Sequence, residues 1–215
     1  MYLVKTPNVI QSLFPNYTWR IPTEEKVIYL TFDDGPIPEV TPWVLAQLAS
    51  FDAKATFFSV GDNIRKHPDV FQQVIDEGHS VGNHTYSHLN GWITDNVPYF
   101  HDVRHCAHLM PSQLFRPPYG RLKSRQAQFL QRHYRIVMWD VLSGDFDPHI
   151  SKEQCLRNVM KNVSSGSIVV MHDSLKAKEK LEYTLPRALE RLSEAGYRFE
   201  ALNDKAEVKS LLKIA

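Results

Sequence analysis

The sequence predicts an α/β domain built on a parallel sheet, barrel-like or doubly wound. Three observations carry this expectation. Short apolar runs rich in β-formers alternate with longer amphipathic stretches, the pattern of successive βα units. Several runs end in conspicuously polar residues, and in parallel α/β folds ligands gather at the C-terminal ends of the strands. The chain has 215 residues, 43% hydrophobic and 23% charged, which suits one globular unit with one large core.

Taken in order, residues 27–32 are the first apolar run. Thr41 and Pro42 read as an N-cap and a first helical residue, leading Trp43, Val44, Leu45 and Leu48 along one face. Residues 55–60 read as a second buried strand. His67 and Pro68 open a helix carrying Val70, Phe71, Val74 and Ile75, and Gly78 closes it. Residues 80–82 are a third strand. The stretch 84–111 is less regular, and a strand at 114–116 stops at Pro117-Pro118 because proline cannot continue a ladder. A helix over 124–132 and a strand over 135–139 follow. Ser151 to Gln154 has the form of a capping box for a helix reaching Lys161, followed by a buried strand at 167–171. The last unit is a helix over 185–195, closed by Gly196, and a strand over 197–201. Residues 1–25 are expected to be an extension packed on the domain, and 26–215 the domain itself.

Composition excludes several functions. Lys and Arg number 25 against 24 Asp and Glu, so no polycationic surface is available for nucleic acid. Cys106 and Cys155 belong to no Cys-x-x-Cys pair, and two cysteines make no disulfide framework. No window is long and apolar enough to span a membrane, and no signal peptide is visible in residues 1–20. The chain as written is therefore expected in the cytoplasm, with a leaderless route of export left open. No protein partner is evident.

The strand ends hold the candidate chemistry. Asp33 and Asp34 leave the first strand before the turn Gly35-Pro36, and adjacent side chains point different ways, so one carboxylate can face a metal and the other a substrate. Alone, this is equally an ordinary turn with two solvated aspartates. His84 and His88 stand at i and i+4, a spacing that on one helical turn lets two imidazoles grip one cation. His101, His105 and His108 share helical spacing too, but they lie in a polar stretch away from any strand end and read as a solvated helix face. Arg116 begins Arg-Pro-Pro-Tyr-Gly, where it can pair with a buried carboxylate, or the run can be a rigid surface loop. Trp139 to Phe146 contains Asp140 and Asp145, and His172 directly follows a buried strand.

These five motifs, in this order over residues 26–202, resemble the polysaccharide deacetylase family, the NodB-homology domain of carbohydrate esterase family 4. The resemblance implies a deformed (β/α) barrel of about seven parallel strands. It also implies a metal-dependent hydrolase that removes acetyl groups from N- or O-acetylated glycans. Matched position by position, it makes Asp33 the base, and Asp34, His84 and His88 the ligands of a divalent metal. Zinc is the expected ion, with cobalt, nickel or manganese compatible with the same donors. Arg116 matches the residue that pairs with the base, the Tyr119 N–H the oxyanion donor, His172 the general acid and Asp145 the carboxylate that orients it. Trp139 and Val170 fall near the wall that receives the acetyl methyl group.

The chain departs from the family at two places. Phe146 follows Asp145 where tryptophan is usual, which removes an indole N–H, and Val170 replaces a frequent leucine. Both bear on which sugar or acyl group is accepted. Tyr86, Trp92 and Tyr119 are aromatic residues able either to stack on sugar rings or simply to pack. Two other readings remain at this level: a same-fold amide hydrolase acting on a small non-glycan molecule, and a carbohydrate-binding protein without turnover.

Overall fold

The computed structural model describes residues 2–203, so the part of the expected domain beyond Asn203 lies outside the described residues. The first long strand, β1 (Val27–Asp33), is buried at every residue except Tyr29: Ile28, Leu30 and Phe32 pack with helix residues such as Leu45 and Leu185, while Tyr29 packs with Phe58, Leu114 and Ile168 of other strands. A short helix α1 (Asn8–Leu13) precedes it. After it come α2 (Thr41–Ala49), β2 (Thr56–Ser59), α3 (Gly61–Lys66), α4 (Pro68–Asp76), β3 (Ser80–Asn83), α5 (Asn96–Ala107) and β4 (Leu114–Phe115). The second half comprises α6 (Ser124–Leu130), β5 (Arg135–Ile136), β6 (Val141–Leu142), α7 (Lys152–Met160), β7 (Ile168–His172), α8 (Lys178–Glu194) and β8 (Arg198–Phe199).

Seven strands form one parallel sheet in the order β5-β4-β3-β2-β1-β7-β6, curled into a half-barrel, and β8 adds a short parallel pairing to the start of β1. The register brings the ends of the central strands level: Asp33 lies beside Phe58 on one side and His172 on the other, and Asn83 beside Phe115. One set of strand ends therefore carries the five motifs that the family resemblance rests on.

Between β5 and β6 the N-terminal segment lies across the sheet. Thr18 bridges to Val137 and Lys5 to Val141, with Met138 N–H donating to Thr18 O at 2.7 Å and Leu142 N–H to Val4 O at 2.8 Å. Asp140 belongs to this contact and not to the polar cavity. It is buried, pairs with Lys5 Nζ at 2.8 Å and accepts from Ser167 Oγ at 3.0 Å.

Several local expectations need correcting. Thr41 is not a cap but lies within the first turn of α2, where its hydroxyl donates to buried Asp173 at 2.6 Å. Ser151 does cap α7, accepting from Gln154 N–H. The last helix begins at Lys178, seven residues before the expected 185, and runs through Pro186. Proline reads as a helix start because it lacks the N–H and crowds the preceding turn. Here Leu181, Thr184, Leu185, Ala188, Leu189 and Leu192 make one continuous buried face, and that packing outweighs the local penalty. The irregular stretch 84–111 contains α5, whose buried Tyr99, Val103 and Cys106 fall at helical spacing.

Candidate active site

Asp33 and Asp34 leave β1 in opposite directions because the chain turns sharply there. Asp34 sits at φ 83°, and its carbonyl accepts from Asn63 Nδ2 at 2.7 Å. The turn is pinned from β7: Asp173 accepts from Gly35 N–H at 3.0 Å, and any Cβ at Gly35 would overlap that carboxylate, so only glycine fits. Burial pushes the Asp173 carboxyl up to about 8.

Asp33 is buried against Arg116, whose Nη1 donates to Asp33 Oδ1 at 2.6 Å and to Thr31 Oγ1 at 2.7 Å. The rest of the guanidinium is equally committed, Nε to Val137 O at 3.2 Å and Nη2 to Met138 O at 3.0 Å, with Phe58 flat beneath it. Arg116 is fully buried, and a planar fork with five donors suits this set of acceptors.

Asp34, His84 and His88 meet on the other side of the turn. Their ligand atoms lie within 4.8 Å of one another, the only such group among the described residues. His88 Nε2 stands 3.1 Å and His84 Nε2 3.7 Å from Asp34 Oδ1. The two histidines do not share a helical turn, as their spacing suggested. They sit in a loop where Thr85 and His88 adopt φ of 63° and 54°. His101, His105 and His108 stay outside, and His105 instead stacks on Tyr86 at 3.7 Å between ring centroids.

The donor chemistry fits a divalent cation. His84 Nδ1 faces Arg116 O at 2.8 Å, and since a carbonyl only accepts, Nδ1 carries the proton and Nε2 presents its lone pair. Burial pushes His84 down to about 4, keeping it neutral near pH 7. For Asp34, burial would raise the carboxyl, but the His88 hydrogen bond and the neighbouring imidazoles outweigh it and hold the group well below the usual carboxylate range. Two imidazoles and one carboxylate make a borderline donor set suited to zinc and its neighbours.

His172 faces the triad across the opening. Asp145 accepts from both its Nδ1, at 2.8 Å, and its backbone N–H, at 2.7 Å, which puts a proton on Nδ1 and leaves Nε2 free to carry the second proton of the imidazolium toward a substrate. Burial opposes the imidazolium, yet the charge and hydrogen bond of Asp145, with Asp34 and Asp33 beyond, raise it to about 9.

A cavity of about 480 Å³ joins these groups. Asp33, Asp34, His84, His88, Tyr119, Trp139, Phe146, Val170 and His172 line it, with Arg116 and Asp145 fully buried behind. Phe146 holds its edge to His172 at 5.1 Å. Of the three aromatic residues considered for stacking, Tyr119 lines the cavity, whereas Tyr86 packs on His105 and Trp92 donates to Leu122 O beneath Arg121.

Sequence reasoning missed four lining residues, Tyr2, Leu142, Arg121 and Lys176. Leu142 was discoverable, as the last apolar residue before Ser143-Gly144-Asp145. Tyr2 was not, because the pairing of Val4 with β6 brings it to Phe146, at 5.1 Å, from far away in sequence.

A cation site, an arginine-backed carboxylate and a carboxylate-backed imidazole around one cavity are the equipment of a hydrolase that works on an acyl group. The sequence profile of the polysaccharide deacetylase family matches residues 20–135. The chain belongs to that family and is a carbohydrate deacetylase. A peptidoglycan-N-acetylglucosamine deacetylase of Bacillus cereus is 33% identical to it, over 89% of this chain and 93% of its own. A chitooligosaccharide deacetylase of Azorhizobium caulinodans is also 33% identical, over 74% of this chain and 80% of its own. The crystal structure of a peptidoglycan N-acetylglucosamine deacetylase superposes with a TM-score of 0.82 at 30% identity, covering 87% of this chain and 91% of that one.

Proposed function

We propose that this protein hydrolyses N-acetyl groups on amino-sugar glycans, peptidoglycan fragments or chitooligosaccharides, with Asp33 as base and His172 as acid. The observation that supports it most directly is the placement of these two groups, each with its own buried partner, on either side of Asp34, His84 and His88 in one cavity. Asp34, His84 and His88 would hold a zinc ion, which when bound polarises the acetyl carbonyl and acidifies water.

The chain's own residues supply the proton transfers. Asp33, held in place by Arg116, takes a proton from the attacking water. As charge builds on the former carbonyl oxygen, the Tyr119 N–H serves as its donor, a contribution of roughly 10²–10³ in rate where such donors are removed. An amine leaves poorly unless protonated, so His172, held as an imidazolium by Asp145 beforehand, gives its Nε2 proton to the departing nitrogen and is left neutral with Nδ1–H on Asp145. Trp139, Val170 and Leu142 form an apolar wall for the methyl group.

The test is acetate release from chitooligosaccharides, peptidoglycan fragments, acetylated xylan and simple N-acetyl amides, with zinc and with chelator. Zinc-dependent release from an N-acetylated glycan is the expected result. Release from the simple amides alone would overturn the glycan reading, and unchanged release after chelation would overturn the metal.

The acid assignment has its own pH signature. A general acid works while protonated, so activity should hold through neutral pH and fall as His172 loses its proton on the alkaline side. Asp145→Asn removes the charge that raises His172, leaving burial to push it down, so the alkaline limb of kcat/KM should move to lower pH. A limb that stays in place would take the acid role from His172.

A further inference from the structure

The loop that carries His84 and His88 is held in an unfavourable shape, and one side chain outside the cavity, Asp102, takes two of its amides. Between the two histidines the chain neither coils as a helix nor pairs as a strand. Thr85 and His88, both with a Cβ, lie in the left-handed region, which disfavours non-glycine residues.

The loop's backbone groups are met by neighbouring elements. His84 N–H donates to Ser59 O at 3.1 Å, Thr85 O accepts from Gly61 N–H at 3.0 Å, and Tyr86 O from Asp62 N–H at 2.9 Å. Thr85 N–H reaches Asn83 Oδ1 at 2.9 Å. The amides of Tyr86 and Ser87 both donate to one oxygen, Asp102 Oδ2, each at 2.9 Å. Among the described residues this is the one charged partner of the loop backbone, and bonds to an ionised acceptor are about twice as strong as neutral ones.

Asp102 comes from α5, where the sequence offered only the helically spaced His101, His105 and His108. The same face of α5 places His105 flat on the Tyr86 ring, and Val103 O accepts from Asn83 Nδ2 at 2.9 Å. Tyr86 cannot retreat on its other side, because α3 lies so close that a Cβ at Gly61 would stand 2.6 Å from its ring.

We propose that Asp102 is the positioning residue of the cation site: it fixes the loop in the shape that turns both imidazoles toward Asp34. The proposal rests on the reading of Asp34, His84 and His88 as metal ligands. Asp102 touches no ligand atom and acts through the two amides, so its effect falls on affinity for the ion.

The experiment strips the full-length protein of metal and measures zinc affinity by competition with a chromophoric chelator, alongside the rise in Tm on adding zinc. Asp102→Ala should weaken zinc binding by roughly 10–100-fold, the usual cost of losing an outer partner of a metal site. Asp102→Asn keeps an oxygen that accepts from both amides and should stay within several-fold of the native chain. A role confined to holding α5 in the fold would lower Tm equally with and without zinc and leave affinity unmoved. Native affinity in Asp102→Ala overturns the proposal, as does an Asp102→Asn chain as weak as the alanine variant. Should Asp102→Ala not fold, Asp102→Leu, which keeps the side-chain volume, takes its place. A native chain that takes up no zinc overturns the cation reading itself, and the proposal with it, before any variant is compared.

Discussion

Asp33→Asn protein should release acetate at least about 100-fold more slowly than the native chain, and by as much as 10⁴-fold, while binding zinc as tightly. Asparagine cannot take a proton from water, whereas its carbonyl oxygen can still accept from Arg116 Nη1, so the guanidinium keeps a partner and the turn keeps its shape. The metal should stay because Asp33 contributes no ligand atom to the group formed by Asp34, His84 and His88. His88→Ala gives the complementary result: zinc content after dialysis drops first, and activity follows it. Acetate release and metal content measured on both variants separate the roles. A fully active Asp33→Asn chain would remove Asp33 from the base position, and undiminished zinc in His88→Ala would remove that histidine from the ligand set.

Arg116→Ala should be the most destabilising single change in the site. Asp33 would be left buried with no opposite charge, and breaking one side of such a pair costs about 3–5 kcal/mol. Val137 O, Met138 O and Thr31 Oγ1 lose donors at the same time. For a domain of this size the loss corresponds to a fall in Tm of roughly 6–20 °C. Arg116→Lys should recover little of it, since one ammonium cannot reach acceptors spread around a planar fork. Thermal and chemical unfolding of the two variants check this. A drop of under 1 kcal/mol in Arg116→Ala would mean that the pair is solvated in a way its full burial does not suggest.

Much of the site was legible before any coordinates. Asp33, Asp34, Arg116, Asp145 and His172 all follow buried apolar runs, and the register of a parallel sheet brings such positions to one edge. The gathering of the strand-end motifs therefore follows from strand order and spacing. The shape of the His84–His88 loop did not follow, because an i, i+4 pair fits a helical turn as readily as a loop bent by two left-handed residues. Which of the two forms depends on α3 and α5, whose groups meet the loop amides and carbonyls from distant positions.

The residues alone dictated the alternation of strands and helices and the polar strand ends, since burial pattern and side-chain chemistry are local properties. They also carried the family. Only the packed molecule decided that α8 runs through Pro186, that Tyr2 reaches the cavity and that Asp102 grips the His84–His88 loop. Each of these depends on surfaces meeting across many residues, where the free energy of burial and of satisfying backbone polar groups outweighs local preference.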